Sequence, residues 1–365
     1  MNKKKKSVIW IIGMIILLIS CKEKPPVTTI HVELKDLNID SVAYYVSRDG
    51  IGAYPIWGWN RIGLDSLGSA VIKIENPVLN LILIQPATSG FSRTASLFIL
   101  PGDKYTVTLS TSDSIPLVII GKDAKVQLFL NDFDYRFRRK YQTGHGDFDQ
   151  LYSDTDPETI LDHFELRMQP DLQKLEAIGK PGDINEIRYK AIIDHVTFTY
   201  LKELLSILRQ RSYQRETSSL GHYQHVISYP VNIREKAYQD LLAELFKMYP
   251  YNLKYFMVNQ NYIELLDSYL WYKSLGDSLP VSSQDEELIV AEKYLEPALY
   301  ELCFASEFGK VSLKEPFSAV ERRYDQFKRR FPDSKYLPGI NKLLPRLHEI
   351  YSRYSPPDIS PDTVR

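Results

Sequence analysis

Cys21 and Cys303 are the only thiols in the chain of 365 residues. Thiol–disulfide exchange needs one accessible thiolate to attack and a second to resolve the mixed disulfide. There is no Cys-x-x-Cys, and Cys303, between Leu302 and Phe304, falls on an apolar helical stretch where cysteine behaves as a small buried hydrophobe. His222 and His225 are spaced by one helical turn and would hold a metal only with a third ligand from elsewhere. Residues 218–229 around them are polar and turn-like, and lack the glutamate of a helical metalloprotease motif, so two solvated histidines are expected. Asp194-His195 has no companion serine in sequence, and Gly144-His145-Gly146-Asp147 reads as a turning loop. Gly-x-x-x-x-Gly-Lys and Gly-x-Ser-x-Gly are both missing. The expectation is therefore no catalytic residue, no metal and no cofactor.

Two patterns suggest recognition rather than catalysis. Tyr54, Trp57 and Trp59, among Gly50, Gly52 and Gly58, form an aromatic, glycine-rich stretch between strands. Exposed, it could stack a sugar or a peptide; otherwise the rings pack under a hairpin. The second pattern is Asp, hydroxyl, aliphatic at Ser41, Ser66, Ser114, Ser278 and Thr363. It resembles the O-glycosylation tripeptide of exported proteins in some gut anaerobes, and reads equally well as Asp-Ser turn and cap chemistry. The basic runs at 136–140 and 328–330 lie on amphipathic helices and read as solvated faces.

Location is set by the N-terminus. Lys3 to Lys6 precede an apolar run over 8–19, closed by Leu18-Ile19-Ser20-Cys21. This is the pattern of an export signal, and the run is short for a bilayer span, which needs about 20 residues. The closing tetrapeptide resembles the lipobox of bacterial lipoproteins, which implies a diacylglycerol on Cys21 and a signal peptide over 1–20. Expected is a protein of the cell envelope, lipid-anchored through Cys21, most naturally to the outer membrane, with its periplasmic or surface face undecided. Residues 21–27, with Pro25-Pro26, read as a tether. The net charge of −1, with four lysines in the leader, disfavours nucleic acid.

The elements that must position any site divide in two. Over 28–121 apolar residues alternate with polar ones, as at Ile30, Val32 and Leu34, with punctuation such as Pro101-Gly102-Asp103. An antiparallel β-sandwich-like domain is expected there. Over 122–354 the period becomes helical: Asp123 is the expected cap of a first helix, and Asp156-Pro157 opens a second. Further helices fit 187–208, 234–249, 253–275, 286–304, 316–331 and 336–354, and the last two resemble a tetratricopeptide-like hairpin. Residues 355–365, with Pro356, Pro357 and Pro361, form a proline-rich linker or tail. The fold class is α+β in two modules.

Phe98-Ile99-Leu100-Pro101-Gly102-Asp103, Gly121-Lys122-Asp123 and the closing Phe331-Pro332-Asp333-Ser334-Lys335-Tyr336, in this layout behind a lipobox, resemble the front part of thioredoxin-like thiol:disulfide oxidoreductase lipoproteins of Gram-negative gut anaerobes. The resemblance implies a non-catalytic accessory region that precedes a thioredoxin domain; here the Cys-x-x-Cys domain is absent, and no redox residue carries over. The expected partners are the membrane and a thioredoxin-like protein. The alternative is a surface lipoprotein that binds glycan or peptide ligands.

Overall fold

The computed structural model of the chain describes residues 26–35, 39–46, 59–75, 79–87, 94–110, 112, 115–143, 156–179, 182, 184–213, 232, 234–249, 260–277, 284–310 and 315–354. Among these, eight strands come first: β1 (Val27–Leu34), β2 (Ser41–Val46), β3 (Asn60–Gly63), β4 (Ser69–Glu75), β5 (Asn80–Pro86), β6 (Ala95–Ile99), β7 (Lys104–Leu109) and β8 (Val118–Gly121). Nine helices follow: α1 (Ala124–Thr143), α2 (Pro157–Ile178), α3 (Glu186–Tyr213), α4 (Lys236–Met248), α5 (Gln260–Asp277), α6 (Gln284–Tyr294), α7 (Pro297–Glu307), α8 (Phe317–Arg330) and α9 (Leu337–Tyr354). The α+β layout agrees with the change of hydrophobic period near residue 122.

The strands form two four-stranded sheets, ordered β4-β1-β7-β8 and β3-β2-β5-β6. They are not wholly antiparallel, which corrects the sequence-based expectation: β1 runs parallel to β7, with Ile30 opposite Tyr105. Alternation reports which face of a strand is buried and is silent on the direction of its neighbour. No tight turn joins β1 to β7, so nothing local imposes a hairpin on them.

Ile30, Val32 and Leu34 of β1 are buried and His31 between them is exposed, as period two demands. In β6 every residue is buried, the mark of a strand covered on both faces. Ala95, Leu97 and Ile99 join one hydrophobic cluster with Ile30, Ile72 and Val107 of the other sheet. Phe98 and its cross-strand partner Leu81 belong instead to the helical core. α3 is the spine of that core; residues 195–201 are all buried, because α2 and α5 pack on it while its N-terminal half meets β6.

Two helix boundaries are instructive. Asp156 caps α2 as expected, its carboxylate accepting from the Thr159 N–H and hydroxyl, both at 2.8 Å, which holds its pKa below the ordinary value. The single helix expected over 286–304 is two, α6 and α7. Pro297 occupies the first turn of α7 and has no N–H to continue α6, which stops at Tyr294.

Candidate functional site

Cys21, Tyr54, Trp57, Ser114, Ser278, Thr363, His222, His225 and the Gly144-to-Asp147 loop lie outside the described residues. Cys303 is fully buried, and burial followed by the neighbouring Glu307 pushes its thiol well above the ordinary value. Trp59 is half-buried, its ring 6.2 Å from that of the buried Tyr45, so this member of the aromatic stretch packs on β2. At Ser41 the hydroxyl donates to Asp40 at 2.8 Å. At Ser66 the side chain is exposed while Asp65 accepts from the N–H groups of Leu67 and Ser69, both at 2.9 Å. The aspartate thus makes the turn, and the turn holds the serine out in solvent.

Asp194 and His195 part company: Asp194 reaches Lys190 at 3.4 Å, and His195 Nε2 lies 2.7 Å from Asp134 of α1. The other oxygen of Asp134 accepts from the Ser96 hydroxyl at 2.8 Å. A serine is therefore present, but the carboxylate stands between it and the imidazole. Nucleophile activation needs the imidazole in the middle, so this trio clamps β6, α1 and α3 together.

The best-developed polar centre is one that no local pattern announces. Arg188 of α3 is fully buried. Its guanidinium pairs with Asp103 through Nη2 and with Asp123 through Nη1, and its Nε donates to the Phe98 carbonyl at 3.0 Å. Asp103 closes the Pro101-Gly102 turn, taking the Leu100 N–H on its carboxylate at 2.7 Å while Gly102 adopts φ 78°. Asp123 has φ 56°, a left-handed conformation that aspartate tolerates better than most residues. It stands at the N-cap position of α1 as expected, its backbone carbonyl accepting from the Val126 and Gln127 N–H groups at 3.1 and 3.2 Å, but its carboxylate is turned to Arg188, because a buried guanidinium is the stronger partner. Gly121 is required: a Cβ there would sit 2.5 Å from the Tyr105 ring, whose hydroxyl donates to the Lys122 carbonyl at 3.1 Å. Burial raises the Tyr105 pKa and keeps the hydroxyl a donor. The Phe98-to-Asp103 turn and Gly121-Lys122-Asp123 thus meet on one arginine, which binds β6, the following turn and the start of α1 to α3.

Next to this lock, α1 closes the outer edge of β6. Gln127 takes the Phe98 N–H at 3.1 Å and donates to its carbonyl at 2.7 Å. One turn on, Asn131 does the same for Ser96, both at 2.7 Å. Two amide side chains on one helix face so imitate a neighbouring strand and leave that edge nothing to recruit.

A second cluster gathers Asp267 of α5, Glu287 of α6 and Glu307 of α7, whose carboxylate oxygens lie within 4.8 Å of one another. The donor set suits a hard divalent cation. Lys310 stands among them, its Nζ 2.9 Å from Asp267 and 3.1 Å from Glu287 and paired with Glu307. The acids around it, Glu307 first, hold the lysine as an ammonium, while burial and the two neighbouring acids push Glu287 up to about 9, so that it stands near neutral pH as the protonated member of the cluster. The protein's own cation fills this cage. Three helices contribute to it, which is why no spacing in the sequence reveals it.

On the outside, α8 and α9 leave an open cleft of about 580 Å³. Phe317, Tyr324 and Leu344 are half-buried in its lining, Glu321 and Asp325 stand along α8, and Pro345 and His348 along α9. Among the described residues no helix is long and apolar enough to cross a membrane. No protein-family model and no curated protein matches the chain.

Proposed function

We propose that the chain is a membrane-anchored envelope lipoprotein, held through Cys21, whose β and helical modules form the non-catalytic accessory region of a thioredoxin-like thiol:disulfide oxidoreductase. Its work is to position a thioredoxin-like partner at the membrane. The observation that carries this reading is the Arg188 lock: two of the three motifs behind the resemblance, Phe98 to Asp103 and Gly121 to Asp123, converge on it, and it ties the β module to the helical one. A positioning element must be stiff between its anchor and its partner. In the same reading the two sheets face one another as a sandwich, supported by the cluster to which both contribute. Covalent exchange is left to the partner, since the thiol of Cys303 is sealed in the core.

Cys21→Ala should move the protein out of detergent-phase membrane fractions, and the full chain should not reduce insulin. An unmodified Cys21 in the envelope protein, or turnover that vanishes in Cys303→Ser, overturns the proposal. A second reading, a surface lipoprotein that binds peptide ligands, is favoured by the cleft between α8 and α9.

A further inference from the structure

The cleft between α8 and α9 has the chemistry of a receptor for an organic cation. Glu321 and Asp325 are spaced by one helical turn, so both carboxylates stand over the cleft on the same face of α8. Both are exposed, and neither has an ion-pair or side-chain hydrogen-bond partner among the described residues. In the basic turn at the end of the helix, Arg330 pairs with Glu292 at 2.8 Å, and Arg329 donates to the backbone carbonyl of Asp325 rather than to its carboxylate.

The floor below is aromatic. Phe317 is half-buried with its ring edge-to-face on His348, centroids 4.9 Å apart. Tyr324 is half-buried and fixed by a 2.7 Å hydrogen bond to Asn341 of α9. Pro345 lines the cleft beside them. Aromatic rings and carboxylates complement a planar guanidinium, which offers five donors and stacks on rings. Leu344 leaves an apolar contact beside it.

We propose that this cleft docks an arginine side chain presented between apolar residues on a peptide segment of a partner protein. The inference deepens the second reading above and rests on it only in placing a peptide on the helical module. The oxidoreductase reading is tested separately, by insulin reduction and by the fate of Cys21.

The probe is a fluorescein-labelled hexapeptide with one arginine between leucines, titrated against the full chain in detergent and followed by fluorescence anisotropy. Its twin carries citrulline, which keeps the shape and removes the charge. Saturable binding is expected, with a loss of about fivefold to tenfold for the twin and for Glu321→Gln with Asp325→Asn. Both substitutions are on exposed residues and should leave the fold intact. Asp162→Asn with Glu165→Gln, two exposed acids on α2, should leave affinity unchanged. No saturable binding, equal affinity for the twin, or an equal loss in the α2 variant overturns the proposal. Free arginine amide binding as tightly as the peptide would assign the cleft to a small cation and overturn the peptide.

Discussion

Arg188→Met should be among the most damaging single substitutions in the described part of the chain. Methionine keeps most of the stem and removes the charge, so little of the effect is cavity. What remains is Asp103 and Asp123, each with a side chain only 8% exposed, without the guanidinium between them. Removing one partner of a buried ion pair costs about 3–5 kcal/mol, because the surviving charge stays desolvated. The Phe98 carbonyl also loses its Nε–H donor but keeps Gln127, so that loss adds little. With a guanidinium m-value of roughly 4–6 kcal/mol per molar, the midpoint should fall by somewhat under ~1 M. Equilibrium unfolding followed by circular dichroism measures it. Adding Asp103→Asn and Asp123→Asn to Arg188→Met removes the stranded charges while leaving oxygens to accept, and should recover at least half of the loss. A single variant that costs less than about 1 kcal/mol, or a triple variant no more stable than the single one, refutes the reasoning.

Gln127→Leu with Asn131→Leu should cost roughly 3–9 kcal/mol in the same assay. It strands the Ser96 N–H and carbonyl and the Phe98 N–H in the interior at about 1–3 kcal/mol each, and a loss below ~1 kcal/mol would mean the edge finds other partners. Glu203, buried on α3 and facing Glu264, keeps its proton in the fold up to about 8, against 4.5 unfolded. Its contribution is whole below pH 4.5 and is lost as pH rises through 8. Glu203→Gln should therefore flatten the fall in Tm between pH 5 and 9 and gain up to roughly 5 kcal/mol at the alkaline end, and an unchanged pH profile would refute it. If the Asp-hydroxyl-aliphatic turns are glycosylated, Ser41→Ala, Ser66→Ala and Ser114→Ala together lower the mass of the native-host protein by more than three hydroxyl oxygens. A wild-type protein already at its peptide mass excludes the modification.

Hydrophobic period is a local property, and what depended on it alone was legible in the sequence: strands before helices, the change near residue 122, the caps at Asp156 and the Pro101-Gly102 turn, the burial of Cys303. The missing donor of Pro297 was local too, but not the split it makes, because Pro170 and Pro345 lack the same donor and lie inside α2 and α9. The parallel pairing of β1 with β7 was not, since alternation carries no direction. Nor was Arg188 distinguishable from any other basic residue on a helix. Its role comes from Asp103 and Asp123, far away in the chain, and only the docking of α3 against β6 takes all three out of water together. The same holds for the carboxylates around Lys310, contributed by three helices, and for the α8–α9 cleft, where two ordinary surface acids acquire a common aromatic floor. A charge in sequence has a type and a spacing. Its energy is set by which groups share its low-dielectric surroundings, and those are chosen by tertiary packing.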